Sequence, residues 1–159
     1  FLTSAERNED INIVIDAGGL YYTKEFGCPS NAIITPHPGE AAMLLDCSVE
    51  EIQKNRLEAA KELYKRYNCL IILKGYQTIV FDGEAYQCTD GGPALSTAGT
   101  GDVLAGLIGS FLAQGLSKID AARFSVAIHG AAGDKFSKNK GGRGLTATKL
   151  IKIINEEML

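Results

Sequence analysis

The run Cys69-Leu-Ile-Ile-Leu-Lys74 is apolar without interruption, rich in β-branched residues, and stopped by Gly75. A strand with one wet face alternates apolar and polar residues, whereas a continuous apolar run has both faces covered. Such strands belong to parallel sheets flanked by helices, so this segment alone points to an α/β fold. Two shorter runs repeat the pattern. "INIVID" (11–16) ends in an acid, and "NAIIT" (31–35) is stopped by Pro36 and Pro38. "TIVFDGEAYQC" (78–88) differs, because two short strands flank an Asp-Gly pair and predict a β-hairpin.

Helical patterns lie between and after these strands. Ser48-Val-Glu-Glu51 is a capping-box pattern that predicts one long helix to about Tyr67, with Leu57, Ala60, Leu63 and Tyr64 on its apolar face. A second helix follows Gly101 and ends near Gln114-Gly115, with Val103, Leu104, Leu107, Ile108, Phe111 and Leu112 on one side. A third opens at Ser117–Asp120 and turns Ala121, Phe124, Ile128 and Ala131 inward. "KNKGGRG" (138–144) reads as a loop, and a last helix runs to about Glu157. The predicted order is strand, helix, strand, helix, strand, hairpin and three helices. That is a mostly parallel central sheet with flanking helices, a hairpin and a helical C-terminal region.

The bulk numbers narrow the function. With 159 residues, 45% hydrophobic and 22% charged, the chain is an ordinary globular domain. No apolar stretch approaches the ~18 residues of a membrane span. "FLTSAERNED" has no basic start and no long apolar region, so no signal peptide is expected. It also lacks a Met, so a trimmed product or a fragment is expected. The net charge of −3 divides unevenly: residues 1–116 carry 8 Lys/Arg against 15 Asp/Glu, and residues 117–159 carry 8 against 4. That balance suits no nucleic-acid partner. Cys28, Cys47, Cys69 and Cys88 form no C-x-x-C pair, with only His37 and His129 to join them. Reduced, mostly buried thiols in a cytoplasmic protein are expected rather than a zinc site.

Ligands of an open α/β sheet bind beyond the carboxyl ends of its strands. Three motifs fall at such places: "TPHPGE" (35–40), "KGYQT" (74–78) and "GTGD" (99–102). Glycines let successive N–H groups point at one anion, and the helix start behind Gly99-Thr100-Gly101 adds partial positive charge. Asp102 would repel a merely bound anion. It makes sense as a base that takes a proton from a hydroxyl attacking phosphorus, or as a cap on free helix amides. No Walker A loop or Rossmann fingerprint occurs. Lys74 at a strand end reaches either a phosphate or water, and Gly75 admits a ring close to the backbone. Glu40 sits in the first turn of a helix, where a carboxylate complements the dipole. His129, among small apolar residues, reads as a core histidine rather than a ligand.

Taken together, "TPHPGE", "KGYQT", "STAGTGDVLAG" and "AIHGAAGD", in this order and spacing, resemble the NAD(P)H-hydrate dehydratases of the ribokinase-like superfamily. The resemblance runs from about Ile11 to the end and covers the C-terminal half of that family's domain, or a little more. It implies one ribokinase-like dehydratase domain over 1–159, incomplete at its N-terminus. It implies repair of NADHX or NADPHX, hydrated at C6 of the nicotinamide, by phosphorylation from ADP or ATP with Mg²⁺ and loss of phosphate. Asp102 would be the base on the C6 hydroxyl and contact the substrate. Gly99, Thr100 and Gly101 would hold the transferring phosphate, with Gly101 also touching the nucleotide. Lys74, Gly75, Tyr76, Gln77 and Thr78 would line the nucleotide site, His37 would contact the hydrated dinucleotide, and Glu40 would organise Mg²⁺ through water. One departure is plain: the family pattern D-A-D-[GA]-L reads Asp16-Ala17-Gly18-Gly19-Leu20 here, without the second acid. A half-sheet exposes an apolar edge, so a homo-oligomer is expected; a fused or partner epimerase domain in the parent protein is a further implication. The alternatives are a vitamin-precursor kinase of the same superfamily and a non-catalytic nucleotide-binding fragment.

Overall fold

The computed structural model describes residues 11–157. Short strands alternate with helices: β1 (Ile13–Ile15), α1 (Gly19–Phe26), β2 (Ala32–Ile34), α2 (Pro38–Leu45), α3 (Val49–Lys54), α4 (Arg56–Tyr67) and β3 (Leu70–Leu73). The hairpin follows as β4 (Ile79–Phe81) and β5 (Ala85–Gln87), then a 3-10 turn at Pro93–Leu95. Three helices close the chain: α5 (Thr100–Ala113), α6 (Lys118–Lys140) and α7 (Ala147–Glu157). None is long and apolar enough to cross a membrane among the described residues.

The five strands lie in sequence order in one sheet. β1, β2 and β3 are parallel, and β4 runs antiparallel to β3, so the hairpin makes the sheet mixed. The reading of β3 as a strand covered on both faces is borne out. Leu70, Ile71, Ile72 and Leu73 are all fully buried, and so are Ile33 and Ile34 on β2. Among the described residues β1 pairs with β2 alone, and Ile11 ahead of it is 50% exposed.

The chain forms two compact units. One holds the described residues up to Lys74 with Ile79–Tyr86; the other holds Gly75–Thr78 and the described residues from Gln87 onward. In the first, α2, α3 and α4 cover one sheet face, with Leu44, Ile52, Ala60 and Leu63 packed against Ile34, Ile71 and Leu73. In the second, Val103 of α5, Ala132 and Phe136 of α6, and Leu150 and Ile154 of α7 share a core.

Three sequence expectations give way. The long helix from Ser48 is broken at Asn55 (φ −145°, ψ 70°), although its capping box forms as expected. The break resets the helical phase, so α4 buries Ala59, Ala60, Leu63 and Tyr67 while Leu57 is 39% exposed. On α6, Phe124 is 54% exposed and the buried face is built from small residues, Ala121, Ala122, Ser125, Gly130, Ala132 and Gly133 among them. Close approach, not side-chain bulk, decides which face of that helix turns inward. Its last turn also takes in the start of the expected 138–144 loop and stops at Gly141, whose φ is +69°. Of the cysteines, Cys69 and Cys88 are buried, and Cys28 and Cys47 half-buried.

Candidate functional site

In the first unit three parallel strands end side by side, and each delivers a polar side chain. Asp16 follows β1, Thr35 follows β2 and Lys74 follows β3. Thr35 Oγ1 and Lys74 Nζ both donate to Asp16 Oδ1, at 2.7 and 2.6 Å. Burial by itself pushes the Asp16 carboxyl up. The hydrogen bonds from Lys74 and Thr35, the ammonium charge and the Ala17 amide outweigh it and hold the group below the usual carboxylate range. The peptide here is bent as well: Ala17 has φ +48°, a left-handed conformation costly for a residue with a Cβ. Lys74 therefore does not snorkel to water. Its side chain is 18% exposed and its ammonium also lies 3.8 Å from Glu40 Oε2.

His37 and Glu40 are joined by a capping box at the start of α2. His37 Nδ1 accepts the N–H groups of Gly39 and Glu40 at 3.0 and 3.2 Å, and Glu40 Oε2 accepts the His37 N–H at 2.7 Å. Since Nδ1 accepts twice, the neutral ring carries its proton on Nε2, on a side chain 57% exposed. Glu40 thus serves the dipole and cap as well as any other role, and its Oε1 lies 3.6 Å from His37 Nε2. Among the described residues no three His, Cys, Asp or Glu side chains cluster as direct ligands of a metal ion. An Mg²⁺ beside Glu40 would be held through water, the ion's usual habit, because the neighbouring Asp16 carboxylate is already matched to the Lys74 ammonium.

Arg56 was not singled out by sequence reasoning. It opens α4 and reaches the end of β3, where Nη2 donates to the carbonyls of Leu73 and Lys74 at 3.0 and 3.2 Å, while Nη1 donates to Gln53 Oε1 at 3.0 Å. A cation at a helix start opposes the dipole, and burial lowers the pKa of this guanidinium. The arrangement holds the backbone from which the Lys74 side chain springs.

In the second unit Gly75–Thr78 form a tight turn. Gly75 has φ +135° and Gln77 φ +55°. Thr78 Oγ1 donates to the Gly75 carbonyl at 3.0 Å, and Gln87 Nε2 to Gln77 Oε1 at 2.9 Å. Tyr76 stands 75% exposed.

The same unit contains the glycine turn that opens α5. Gly99 caps the helix with φ +87° and offers no side-chain acceptor. A Cβ there would lie 3.1 Å from Ala147 Cβ, so glycine serves both the turn and the close approach of Ala147. Among the described residues the amides of Gly101 and Asp102 have no acceptor, and the exposed Asp102 carboxylate makes no hydrogen bond or ion pair. Asp102 is therefore not the cap of α5. Thr100 is 4% exposed and turned inward: its Oγ1 lies 2.6 Å from the Leu95 carbonyl and 2.8 Å from that of Thr97, and its N–H bonds Thr97 O at 3.3 Å.

"AIHGAAGD" is explained by what it touches. Cβ atoms at Gly130 and Gly133 would meet the Asp90 carbonyl oxygen at 2.8 Å and the Leu95 side chain at 2.6 Å. Asp134 Oδ2 accepts the Gly91 N–H at 3.1 Å, and His129 Nε2 lies 2.9 Å from the Thr100 carbonyl oxygen. His129, expected to be a satisfied core histidine, is half-buried, and the partner it finds lies in the glycine turn itself.

This fold is that of a ribokinase-like protein: a ribokinase-like superfamily protein from Enterococcus faecalis is 28% identical with a TM-score of 0.81, over 92% of this chain and 52% of that one. Within that class the chain belongs to the NAD(P)H-hydrate dehydratase family, whose family model matches residues 2–156. The bifunctional NAD(P)H-hydrate repair enzyme Nnr of Vibrio cholerae is 42% identical over 145 residues, which are 90% of this chain and 29% of that protein. The ADP/ATP-dependent NAD(P)H-hydrate dehydratase of Bacillus subtilis, co-crystallized with ATP/Mg²⁺, is 33% identical with a TM-score of 0.85, over 92% of this chain and 53% of that one. The chain thus spans about half of the solved dehydratase and under a third of the Vibrio protein.

Proposed function

We propose that this chain takes part in ADP- or ATP-dependent dehydration of NADHX and NADPHX, restoring NADH and NADPH. The observation that carries the proposal is the start of α5. Among the described residues Gly101 and Asp102 leave two helix amides without an acceptor, directly beside an exposed carboxylate that has no partner there. Amides of that kind stabilise charge that grows on a phosphoryl group, and the carboxylate suits a proton acceptor.

In this reading Asp102 takes the proton from the C6 hydroxyl as its oxygen attacks the terminal phosphorus of the nucleotide. The P–O bond to ADP or AMP breaks. The lone pair of the ring nitrogen then expels phosphate from C6, and loss of the C5 proton restores the dihydropyridine. The balance is hydrate plus ATP to NADH, ADP and phosphate, or the same with ADP giving AMP. Hydroxide leaves poorly and phosphate leaves well, which is why a nucleotide is consumed. Gly99 and Gly101 hold the transferring phosphate through backbone; Thr100, expected to share that role, shapes the turn between them, since its hydroxyl and its N–H are both committed to carbonyls. Lys74 through Thr78 line the nucleotide site, and His37, whose side chain is 57% exposed, contacts the hydrated dinucleotide. Glu40 holds Mg²⁺ through water; the ion, when bound, neutralises phosphate charge.

The same reading makes the chain part of one dehydratase domain in a cytoplasmic homo-oligomer. An epimerase domain in the parent protein accords with the bifunctional name of the Vibrio relative. The deciding experiment incubates the protein with NADHX, Mg²⁺, and ADP or ATP in turn, followed by mass spectrometry. NADH appearing with AMP or ADP is expected. Phosphorylated hydrate that accumulates would instead mark a kinase, and no turnover with either donor would sink the proposal.

A further inference from the structure

The peptide unit between Thr100 and Gly101 has its two polar ends in different hands. At one end the Gly101 N–H has no acceptor among the described residues. At the other the Thr100 carbonyl oxygen lies 2.9 Å from His129 Nε2. A carbonyl only accepts, so Nε2 is the donor whichever charge the ring bears. The Thr100 carbonyl has a second lone pair for the N–H one turn along α5, so the histidine adds a bond rather than replacing the helical one.

A peptide unit is planar. Fixing its oxygen from α6 fixes the direction of its N–H, and a donor at the carbonyl end polarises the N–H at the other. The rest of α6 is built to make the reach possible. Gly130 and Gly133 let the helix come within contact of Asp90 and Leu95, where any Cβ would collide. Leu95 in turn offers its carbonyl to the Thr100 hydroxyl. Thr100 is thereby held on both sides, by Leu95 through its side chain and by His129 through its backbone.

We infer that His129 is a positioning residue for phosphoryl transfer, acting through the Thr100–Gly101 peptide to aim and strengthen the Gly101 N–H toward the transferring phosphate. The inference rests on the proposed function, since it concerns the same turn. His129 touches neither substrate nor phosphate in this role. It acts on the amide that does.

Two readouts test it. In steady-state dehydration, His129→Leu is expected to lower kcat about 10- to 100-fold, with the KM for ATP within about twofold, because misaiming an aligned group penalises the transition state. His129→Gln carries an amide N–H at the reach of Nε2 and is expected to restore most of kcat. His129→Asn is too short and is expected to stay slow. That Gln–Asn contrast keeps the test sharp even where Leu fails to fold. The second readout is the Gly101 amide proton in NMR spectra on addition of Mg-ATP alone. A downfield move in wild type and in His129→Gln, absent in His129→Asn, is expected. The inference is overturned if His129→Leu keeps wild-type kcat, if Gln is as slow as Asn, or if the Gly101 amide responds alike in all variants. A wild-type protein that fails to dehydrate NADHX overturns the proposed function instead, and the amide response to Mg-ATP still decides this inference.

Discussion

Lys74 Nζ lies 2.6 Å from Asp16 Oδ1, so the ends of β3 and β1 are tied across β2, whose own end gives the Thr35 hydroxyl to the same oxygen. The pair is mostly enclosed, with side chains 18% and 14% exposed. Removing the Asp16 charge leaves the Lys74 ammonium, among the described residues, with Glu40 3.8 Å away, so Asp16→Asn is expected to cost about 1–3 kcal/mol at neutral pH. The pH dependence has a definite sign. The folded carboxyl titrates below its unfolded value, so its stabilisation is complete above the ordinary Asp range and disappears as pH falls through the folded value. Urea unfolding of both proteins at about pH 7 and about pH 3 checks this, and the gap between them should narrow at the lower pH. An equal gap at both pH values would contradict it.

Among the described residues the Asp102 carboxylate makes no hydrogen bond or ion pair that folding could miss. Asp102→Asn should therefore unfold within about 0.5 kcal/mol of wild type. Its rate of NADHX dehydration should fall by about 100- to 10,000-fold, the usual contribution of a positioned base. Thermal unfolding and product analysis on one preparation separate the two. Near-normal turnover removes Asp102 from the base role, and a large loss of stability would mean that the carboxylate is structural after all.

Much of the fold was legible because burial writes itself into composition. The continuous apolar run at Leu70–Leu73 reads as a strand covered on both faces and Asp82-Gly83 as a turn, and the structure has both. What was hidden depends on geometry that residue type does not encode. Asn55 breaks a helix through its dihedral angles, in a stretch whose apolar spacing favours continuity. Phe124 has the composition of a core residue, yet α6 turns its small residues inward because Gly130 and Gly133 permit contact with Asp90 and Leu95. In the candidate site the glycines and Asp102 stood out by type. Arg56 did not, and the roles of Thr35 and His129 were not legible, because their importance lies in the partners they reach.

Glycine substitutions on two neighbouring helices should part company. Gly130→Ala places a Cβ 2.8 Å from the Asp90 carbonyl oxygen, which is backbone and must move. A loss of about 1–3 kcal/mol is expected, as for other overpacked contacts. Gly106→Ala, in the middle of α5 with nothing within 4 Å, should be neutral or stabilise by up to about 1 kcal/mol. Chemical denaturation of the two variants decides it. If both shift alike, close approach is not what holds glycine at position 130.

Arg56 holds two successive carbonyls at the end of β3 while also bonding Gln53, and only a planar fork can serve all three. An ammonium on a flexible stem cannot, so Arg56→Lys should lose about 1–2 kcal/mol of stability although the charge is kept. The consequence for binding follows from where the carbonyls are. One belongs to Lys74, whose chain leads into the Gly75–Thr78 turn of the proposed nucleotide site. A looser Lys74 backbone should raise the KM for ATP several-fold and leave kcat at saturating nucleotide within about twofold, since the hold is on binding rather than on the transferring phosphate. Steady-state dehydration over a range of ATP concentrations measures both. A fall in kcat with unchanged KM would place the effect of Arg56 on the chemical step and not on the nucleotide.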